Sequence, residues 1–501
     1  MKRTAGRAKK LLKAFIQSKR ALVGLVIIVG FVLVAMGAPL LTPFNPTADV
    51  WMAGSGEQRA RPSWFRSLPG GEKLSENMIF ISDPEFTSPK PKEKWNITTS
   101  SQYITVERST AIGKEGSLSV AYIRKSTVAP QTANMRVSFT FTYPYQGPPA
   151  RFTIDVQALL EGSDKVPVYV SVFIEDNTNG KRYDFGFGSD WSDVNFTGTT
   201  TKRLVPNPPI SSSAEVEARY ARFNTRQELA SIFFPQAANY TVGVDVTFYD
   251  LPSNAGRSVK SILYIDTFNM KLYGTSFGIL GTDWQGRDLF SQLIYGARIS
   301  LMVGLLAAGI SVLLGLVIGL ASGYIGGFLD EVVMRATDAI LVLPGLPLLI
   351  ILIAVLGASI TNIIIILGFL GWMGFARVVR SQVLSLKERP FVEAAKAIGG
   401  GKSHIIFTHI VPNVMSLVYV TLATSVPGAI VGEAALSYLG YFDPTVMSWG
   451  RMLYDVQAHS GFTDWWWVIP PGLCIAAVSV SFILLGYALD DILNPRIRVR
   501  R

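Results

Sequence analysis

Apolar, uncharged positions collect in six runs along this chain: Ala21–Leu41, Ile299–Ala321, Ala339–Ala358, Ile360–Ala376, Val414–Gly432 and Trp465–Leu489. A helix rises about 1.5 Å per residue and a hydrocarbon core is about 30 Å thick, so about 20 residues cross it, and about 17 suffice when flanking side chains snorkel. Each run meets that length. Pro344, Pro347, Pro427, Pro470 and Pro471 lie inside the runs. They would break a soluble helix, but neighbouring helices in a membrane bundle re-satisfy the freed backbone. Buried helices of a soluble core do not stay free of charge over so many such lengths. The pattern therefore predicts an all-α polytopic membrane domain with six transmembrane helices.

The period changes between the first and second runs. Residues 42–275 are polar and rich in Thr, Ser, Pro and aromatics, and they alternate in strand fashion over Arg136–Tyr143, Phe152–Val156, Val168–Ile174, Thr241–Phe248 and Ser261–Phe268. Period two with β-branched and aromatic residues marks half-buried strands. Asn177-Thr-Asn-Gly180 suits a hairpin turn, since Asn-Gly accepts positive φ. These signals predict an inserted all-β domain, an antiparallel sandwich of roughly 200 residues, large enough to bury its own core. Leu263–Leu272 resembles the last strand of jelly-roll carbohydrate-binding modules. Trp191, Tyr183 and Phe185 are candidates for stacking on a ligand, but packing the core is the commoner use of such aromatics, and a spacer or docking role fits the domain better than ligand binding.

Charge adds an orientation. The 501 residues include 46 Lys+Arg against 36 Asp+Glu, a formal net charge of +10, with only 16% charged residues and a mean hydropathy of +0.32. Segments 1–20, 322–338, 377–412 and 490–501 hold 19 basic and 7 acidic residues, whereas 42–298 is nearly balanced. The positive-inside rule makes those four segments cytoplasmic and places 42–275 outside the cell. Basic residues at the ends of apolar runs call for a bilayer and no nucleic acid. The basic head Lys2–Arg20 followed by Ala21–Leu41 is too long for a cleavable signal peptide and reads as a retained anchor. Cys474 is the only cysteine, which removes intrachain disulfides and cysteine-based metal sites. The sequons at Asn96, Asn195 and Asn239 fall in the outer segment and are glycosylation candidates.

The cytoplasmic segment 377–412 carries the most informative residues. Pro390 suits the first position of a helix, and Glu393 falls in the first turn, where the macrodipole favours an acid. Ala394, Ala395 and Ala397 keep the helix slim, and Gly399 ends it. Eight or nine residues do not hold as an isolated helix, so something must brace it. The functional reading is a coupling helix seated in a cleft of another protein, with Glu393 free for a charged hydrogen bond.

Glu393-Ala394-Ala395, three residues, Gly399, nine residues, then His409 ahead of Val411-Pro412 resembles the EAA loop of ABC importer permeases, where isoleucine usually stands at the His409 position. The ending His409-Ile-Val-Pro412-Asn413 is similar to the oligopeptide/dipeptide/nickel subfamily. Gly281–Leu289, Tyr295–Leu301, Glu433–Gly440, Ser448–Gly450 and Asn494-Pro-Arg496 resemble its C-type permease, with Asn494 in place of the usual Asp. The resemblance covers 1–41 loosely and 276–501 closely; 42–275 is longer than usual and matches no motif.

The resemblance implies a type I ABC importer fold with a segment 1–20, a first helix 21–41, the insert 42–275 and a permease core 276–501. It implies a multi-pass protein of the cell membrane with both termini cytoplasmic. This chain would form a translocation path with a homologous permease. Two cytoplasmic ABC ATPase subunits would bind ATP and Mg and drive the helix at 391–398, so the chain itself needs no cofactor and catalyses nothing. The ATPase-coupling residues would be Pro390, Glu393, Ala394, Ala395, Gly399, His409 and Pro412. An extracytoplasmic solute-binding protein would deliver solute near Asp283, Gly286, Arg287, Asp288, Glu433 and Trp449, as outer gate or docking residues; interfacial helices and turns are the plainer alternative.

Three features mimic other chemistry. Gly399-Gly-Gly-Lys-Ser403 lacks the glycine a phosphate loop needs at Lys396. His404 and His409 lie on the opposite side of the membrane from His459, so they share no metal. Glu433 stands 19 residues beyond Val414, about 28 Å of rise, near the outer interface, where a helix-end or gating contact suits it better than a proton relay. An ion-coupled transporter would place ionisable groups at mid-membrane. A membrane-anchored sensor would need an inner signalling module, and the longest cytoplasmic piece has 36 residues. The cargo is expected to be oligopeptides or dipeptides, with oligosaccharides as the alternative.

Overall fold

Four helices start where a short polar side chain accepts a free backbone N–H: Ser18 from Ala21, Asp288 from Ser291, Ser359 from Asn362 and Ser448 from Arg451. The computed structural model describes residues 15–47, 57–110, 116–162, 166–188, 200–204, 210–211 and 229–493. They divide into two compact units, Met1–Arg59 with Leu280–Arg501, and Ala60–Ile279. The second unit is narrower at its start than the 42–275 read from composition. Arg59 N donates to Asp283 O over 2.8 Å and Thr282 Oγ1 donates to Glu57 O, which ties 57–59 to the first unit.

The first unit contains α1 (Lys19–Met36), α2 (Leu289–Ile325), α3 (Gly327–Val342), α4 (Gly345–Leu356), α5 (Ile360–Lys387), α6 (Pro390–Ala397), α7 (Val411–Tyr438), α8 (Trp449–Ala458) and α9 (Trp465–Leu493). Among the described residues five helical stretches are long and apolar enough to cross a membrane, and a sixth arises only if α3 and α4, bent by 94°, are taken as one span. Ala339–Ala358 is therefore not one straight helix. Pro344 disfavours the helical region for the residue before it, and Leu343 is extended at φ −70°, ψ 137°. Ile360–Ala376, the shortest run, sits inside the longer α5, so the segment from 377 begins as helix rather than loop. Likewise α3 occupies much of 322–338.

Helices α2 and α5 pack along Gly315, Gly319 and Gly323, spaced four apart. A Cβ on Gly319 would stand 2.6 Å from Ala376 O, so only glycine permits this approach. Small residues at such a seam let backbones close where lipid offers no hydrophobic drive to association.

Among the described residues, the named strands of the second unit all pair antiparallel. One sheet runs in the order β2 (Asn96–Thr99), β5 (Thr132–Tyr143), β11 (Ala238–Tyr249), β7 (Val168–Asp176), β8 (Lys181–Gly188). The other runs β10 (Ile210–Ser211), β6 (Arg151–Gly162), β12 (Val259–Tyr273), β4 (Ser117–Arg124), β3 (Ile104–Ser109), with β1 (Met78–Ile79) on β12 and β9 (Thr200–Leu204) on β6. Alternate residues of both sheets, among them Val120, Val137, Val172, Val244 and Leu263, enter one shared core, which makes the unit a sandwich. All five predicted strands lie within β5, β6, β7, β11 and β12. Asn177–Gly180 joins β7 to β8, Gly180 at φ +68°. Tyr183 and Phe185 pack on Phe233, at 4.5 and 5.5 Å between rings, so they serve the core; Trp191 lies outside the described residues.

Candidate functional site

The short helix α6 has two faces with different fates. Arg389 is extended at φ −79°, ψ 142°, as a residue before proline must be, and Pro390 opens the first turn. At the other end Gly399 takes φ +87° while Gly400 N donates to Ala395 O over 3.0 Å, closing the helix by the left-handed route. Val392 and Ala395, three apart, are buried and share a cluster with Val383, Leu386, Ile405, Ile410 and Val414. Their own chain supplies the brace that a helix of this length requires. Glu393, Ala394, Lys396 and Ala397 are exposed.

Three large apolar side chains stand in the open beside them: Phe391, Phe407 and Ile398, the last 87% exposed. Glu393 makes no side-chain hydrogen bond or ion pair among the described residues. His409 falls in a one-turn π-helix, Ile406–Ile410, with its ring 6.2 Å from Phe391 and 5.7 Å from His404. Pro412 sits in the first turn of α7, and no group of three or more His, Cys, Asp or Glu suited to a metal occurs among the described residues.

The other predicted cluster turns inward. Asp283 is fully buried: Oδ1 accepts from Gln285 N and Arg287 N at 2.8 and 2.9 Å, and Oδ2 from Arg287 Nε and Gln292 Nε2, both at 2.7 Å. Arg287 also reaches Asp455 at 3.3 Å, and Gly286 makes the turn at φ +83°. Burial pushes the carboxyls of Asp288 and Asp455 above their ordinary values, against the hydrogen bonds of Ser291 on the first and the charge of Arg287 on the second. Trp449 is buried, its Nε1 donating to Leu293 O over 3.0 Å. Glu433 is 1% exposed and accepts from Ser437 and Ser448, each at 2.7 Å.

Asp283, Gly286, Arg287, Asp288, Glu433 and Trp449 are all buried within this unit, with Asp283, Arg287 and Asp455 joined in one charged network. Sequence reasoning missed Gln292 and Asp455, which complete the network; only the Asp283–Arg287 spacing of four residues hinted at a pair. Of the sequons, Asn96 and Asn239 are exposed on β2 and β11, and Asn195 lies outside the described residues.

Residues 315–499 match the family described as the binding-protein-dependent transport system inner membrane component, and residues 7–60 match the N-terminal TM domain of oligopeptide transport permease C. The chain is 40% identical over 219 residues to the oligopeptide transport system permease protein OppC of Bacillus subtilis, covering 44% of this chain and 72% of the relative. It is 41% identical over 224 residues to OppC of Haemophilus influenzae, covering 44% and 71%, and 39% identical to the dipeptide permease DppC of Bacillus subtilis, covering 44% and 68%. Among solved structures, the MetNI methionine ABC transporter gives a TM-score of 0.31 at 17% identity, over 42% of this chain and 95% of that one. A carbohydrate-binding module solved with β-1,4-galactotriose gives 0.21 at 11% identity, over 38% and 97%. Neither likeness is close enough to bear on the fold. With two of its characteristic segments present and an OppC relative matched over most of its length, the chain belongs to the binding-protein-dependent ABC importer permeases, in the C-type oligopeptide/dipeptide group.

Proposed function

We propose that this chain is one of two permease subunits of an ATP-driven importer of oligopeptides or dipeptides, coupled to its ATPases through α6. The single observation that supports the coupling most is the division of α6 into a face anchored by Val392 and Ala395 and a face left open at Phe391, Glu393, Ala394, Ala397 and Ile398. An anchored helix transmits a push to the spans behind it, and an open apolar rim around one unpaired carboxylate suits a cleft on another protein. ATP and Mg are held by the ATPases, and no covalent chemistry falls to this chain. The basic ends of the spans support a cytoplasmic side for α6 and both termini and an outer side for the β-sandwich, where a solute-binding protein would deliver cargo. The names of the relatives support a peptide cargo.

Glu393→Lys in the assembled complex tests this reading. The expected result is loss of ATPase subunits on purification and loss of uptake, with the thermal unfolding of the membrane chain unchanged. An intact complex with normal uptake would overturn it.

A further inference from the structure

In the second unit, the sheet β2-β5-β11-β7-β8 turns one face to the shared core and the other away from it. Val137, Val172 and Val244 enter the core, so the residues alternating with them stand on the outer face. Strand register aligns Thr98, Arg136, Asp245 and Ser171 in one row across that face, and Asn134, Thr247 and Tyr169 in the next. Over β2, β5 and β11 lies a cavity of about 370 Å³ whose wall includes Thr98, Ser100, Asn134, Arg136, Asp245 and Thr247. Its volume falls within the range of about 300–1,000 Å³ usual for small-molecule sites.

The two ends of this face use their polar side chains differently. At one end they pair across strands: Thr140 with Thr241 at 2.9 Å, and Thr142 donating to Asn239 Oδ1 over 2.7 Å. At the cavity end Thr98, Thr247 and the Asn134 carboxamide make no side-chain hydrogen bond among the described residues, although Asn134 and Thr247 are directly opposite. Their donors and acceptors are open to a ligand. The charged part of the wall is held in place. Arg136 forks onto Asp245 at 2.8 and 2.9 Å, and Arg182 donates to the same carboxylate over 2.6 Å. Both guanidiniums lie over the ring of Phe173, at 4.9 and 4.1 Å. That ring is seated on Gly243, where a Cβ would stand 2.9 Å from it. Planar groups fixed in this way offer a ligand preset directions and lose little freedom when it binds.

We propose that this face binds a short neutral oligosaccharide, with Asn134, Thr247 and Arg136 taking hydroxyls in the cavity and Tyr169 stacking on the apolar side of a sugar ring. Two observations select that class. Among the cavity's lining residues the charges of Arg136 and Asp245 cancel, so neither an anion nor a cation is favoured. Beside Thr247 in register stands Tyr169, 44% exposed, whereas Tyr183 and Phe185 are taken up by the core. A sugar ring presents C–H groups on its face and hydroxyls around its rim, which matches an open aromatic next to hydroxyls and a carboxamide. A peptide adds to a strand edge through main-chain groups, and the groups aligned here are side chains on a sheet face. This role goes beyond the importer reading and does not rest on it.

The test uses the assembled complex in lipid nanodiscs, free of sugar-headed detergent, from a host that does not glycosylate Asn96 or Asn239. Calorimetric titration with maltotriose, cellotriose, mannotriose and chitotriose should show saturable binding of at least one. For that sugar, Tyr169→Ala and the pair Asn134→Ala with Thr247→Val should each weaken binding about tenfold or more. Tyr169→Phe should keep it, and Thr142→Ala, at the other end of the face, should leave it unaltered. Unchanged protease resistance of the 117–273 region shows that each variant is folded. Absence of binding by all four sugars would overturn the proposal. So would binding that survives both Tyr169→Ala and the Asn134 and Thr247 pair, or binding of tri-alanine that the same substitutions remove. The titration does not involve Glu393, so failure here leaves the coupling reading standing, and loss of coupling in Glu393→Lys leaves the sugar binding interpretable.

Discussion

The Ser448 hydroxyl donates to Glu433 Oε1 over 2.7 Å while its oxygen accepts from Arg451 N at 3.1 Å. One side chain thus caps α8 and fastens that helix to α7. Ser437 adds a second donor to the same carboxylate oxygen, and Trp449 N donates to Ser300 on α2 over 3.3 Å. Three elements meet at one buried acid. Glu433→Ala should lower the stability of the membrane chain by about 1–3 kcal/mol, the cost of leaving the buried serine donors unsatisfied, read as the unfolding midpoint in detergent. Glu433→Gln keeps an acceptor oxygen and should lose less.

Gly319 holds α2 against α5. Gly319→Leu should separate the helices at a cost of about 1–3 kcal/mol, the usual cost of overpacking, whereas Gly309→Leu, where a Cβ meets nothing within 4 Å, should be near neutral. Thermal unfolding of the two variants in detergent compares them directly.

In the sandwich, Arg124 and Asp250 form a fully buried ion pair, to which Tyr122 Oη adds a bond at 3.0 Å. Arg124→Ala strands the carboxylate and should destabilise the unit by about 3–5 kcal/mol. Replacing both partners, Arg124→Met with Asp250→Leu, should recover much of that loss, measured by protease sensitivity of the 117–273 region in the full chain.

Acid should weaken the other sheet. Burial alone would raise the Asp245 carboxyl, but hydrogen bonds from Arg136 and Arg182 outweigh it and hold it below the ordinary 3.8. A lowered folded value contributes stability that is present above 3.8 and lost as pH falls through the folded value. Proteolysis of the full chain by an acid-stable protease should therefore rise at β5 and β11 as pH drops below 3.8, and Asp245→Asn should flatten that dependence.

Much of the candidate site was readable before folding. Pro390, Glu393 and Gly399 announced a helix with a start, a charged first turn and a stop, because those effects act within one or two turns of chain. Which face of α6 is open was not readable: Val392 and Ala395 are buried by Ile405, Ile410 and Val414, and two adjacent alanines, Ala394 and Ala395, look alike in sequence. Asp283 and Arg287 read only as outer gate or docking candidates, since the partners Asp455 and Gln292 that hold them inside leave no local trace.

By itself the sequence determined where the chain is apolar for a membrane's width, where it alternates as strands, and where proline and glycine start and stop helices, for these are set by neighbours a few residues apart. Only the tertiary structure decided that the third apolar run bends by 94° and that charged residues near Asp283 close upon one another. Such outcomes depend on residues distant in sequence and adjacent in space. A local pattern can name the side chain that needs a partner, but not the one that answers.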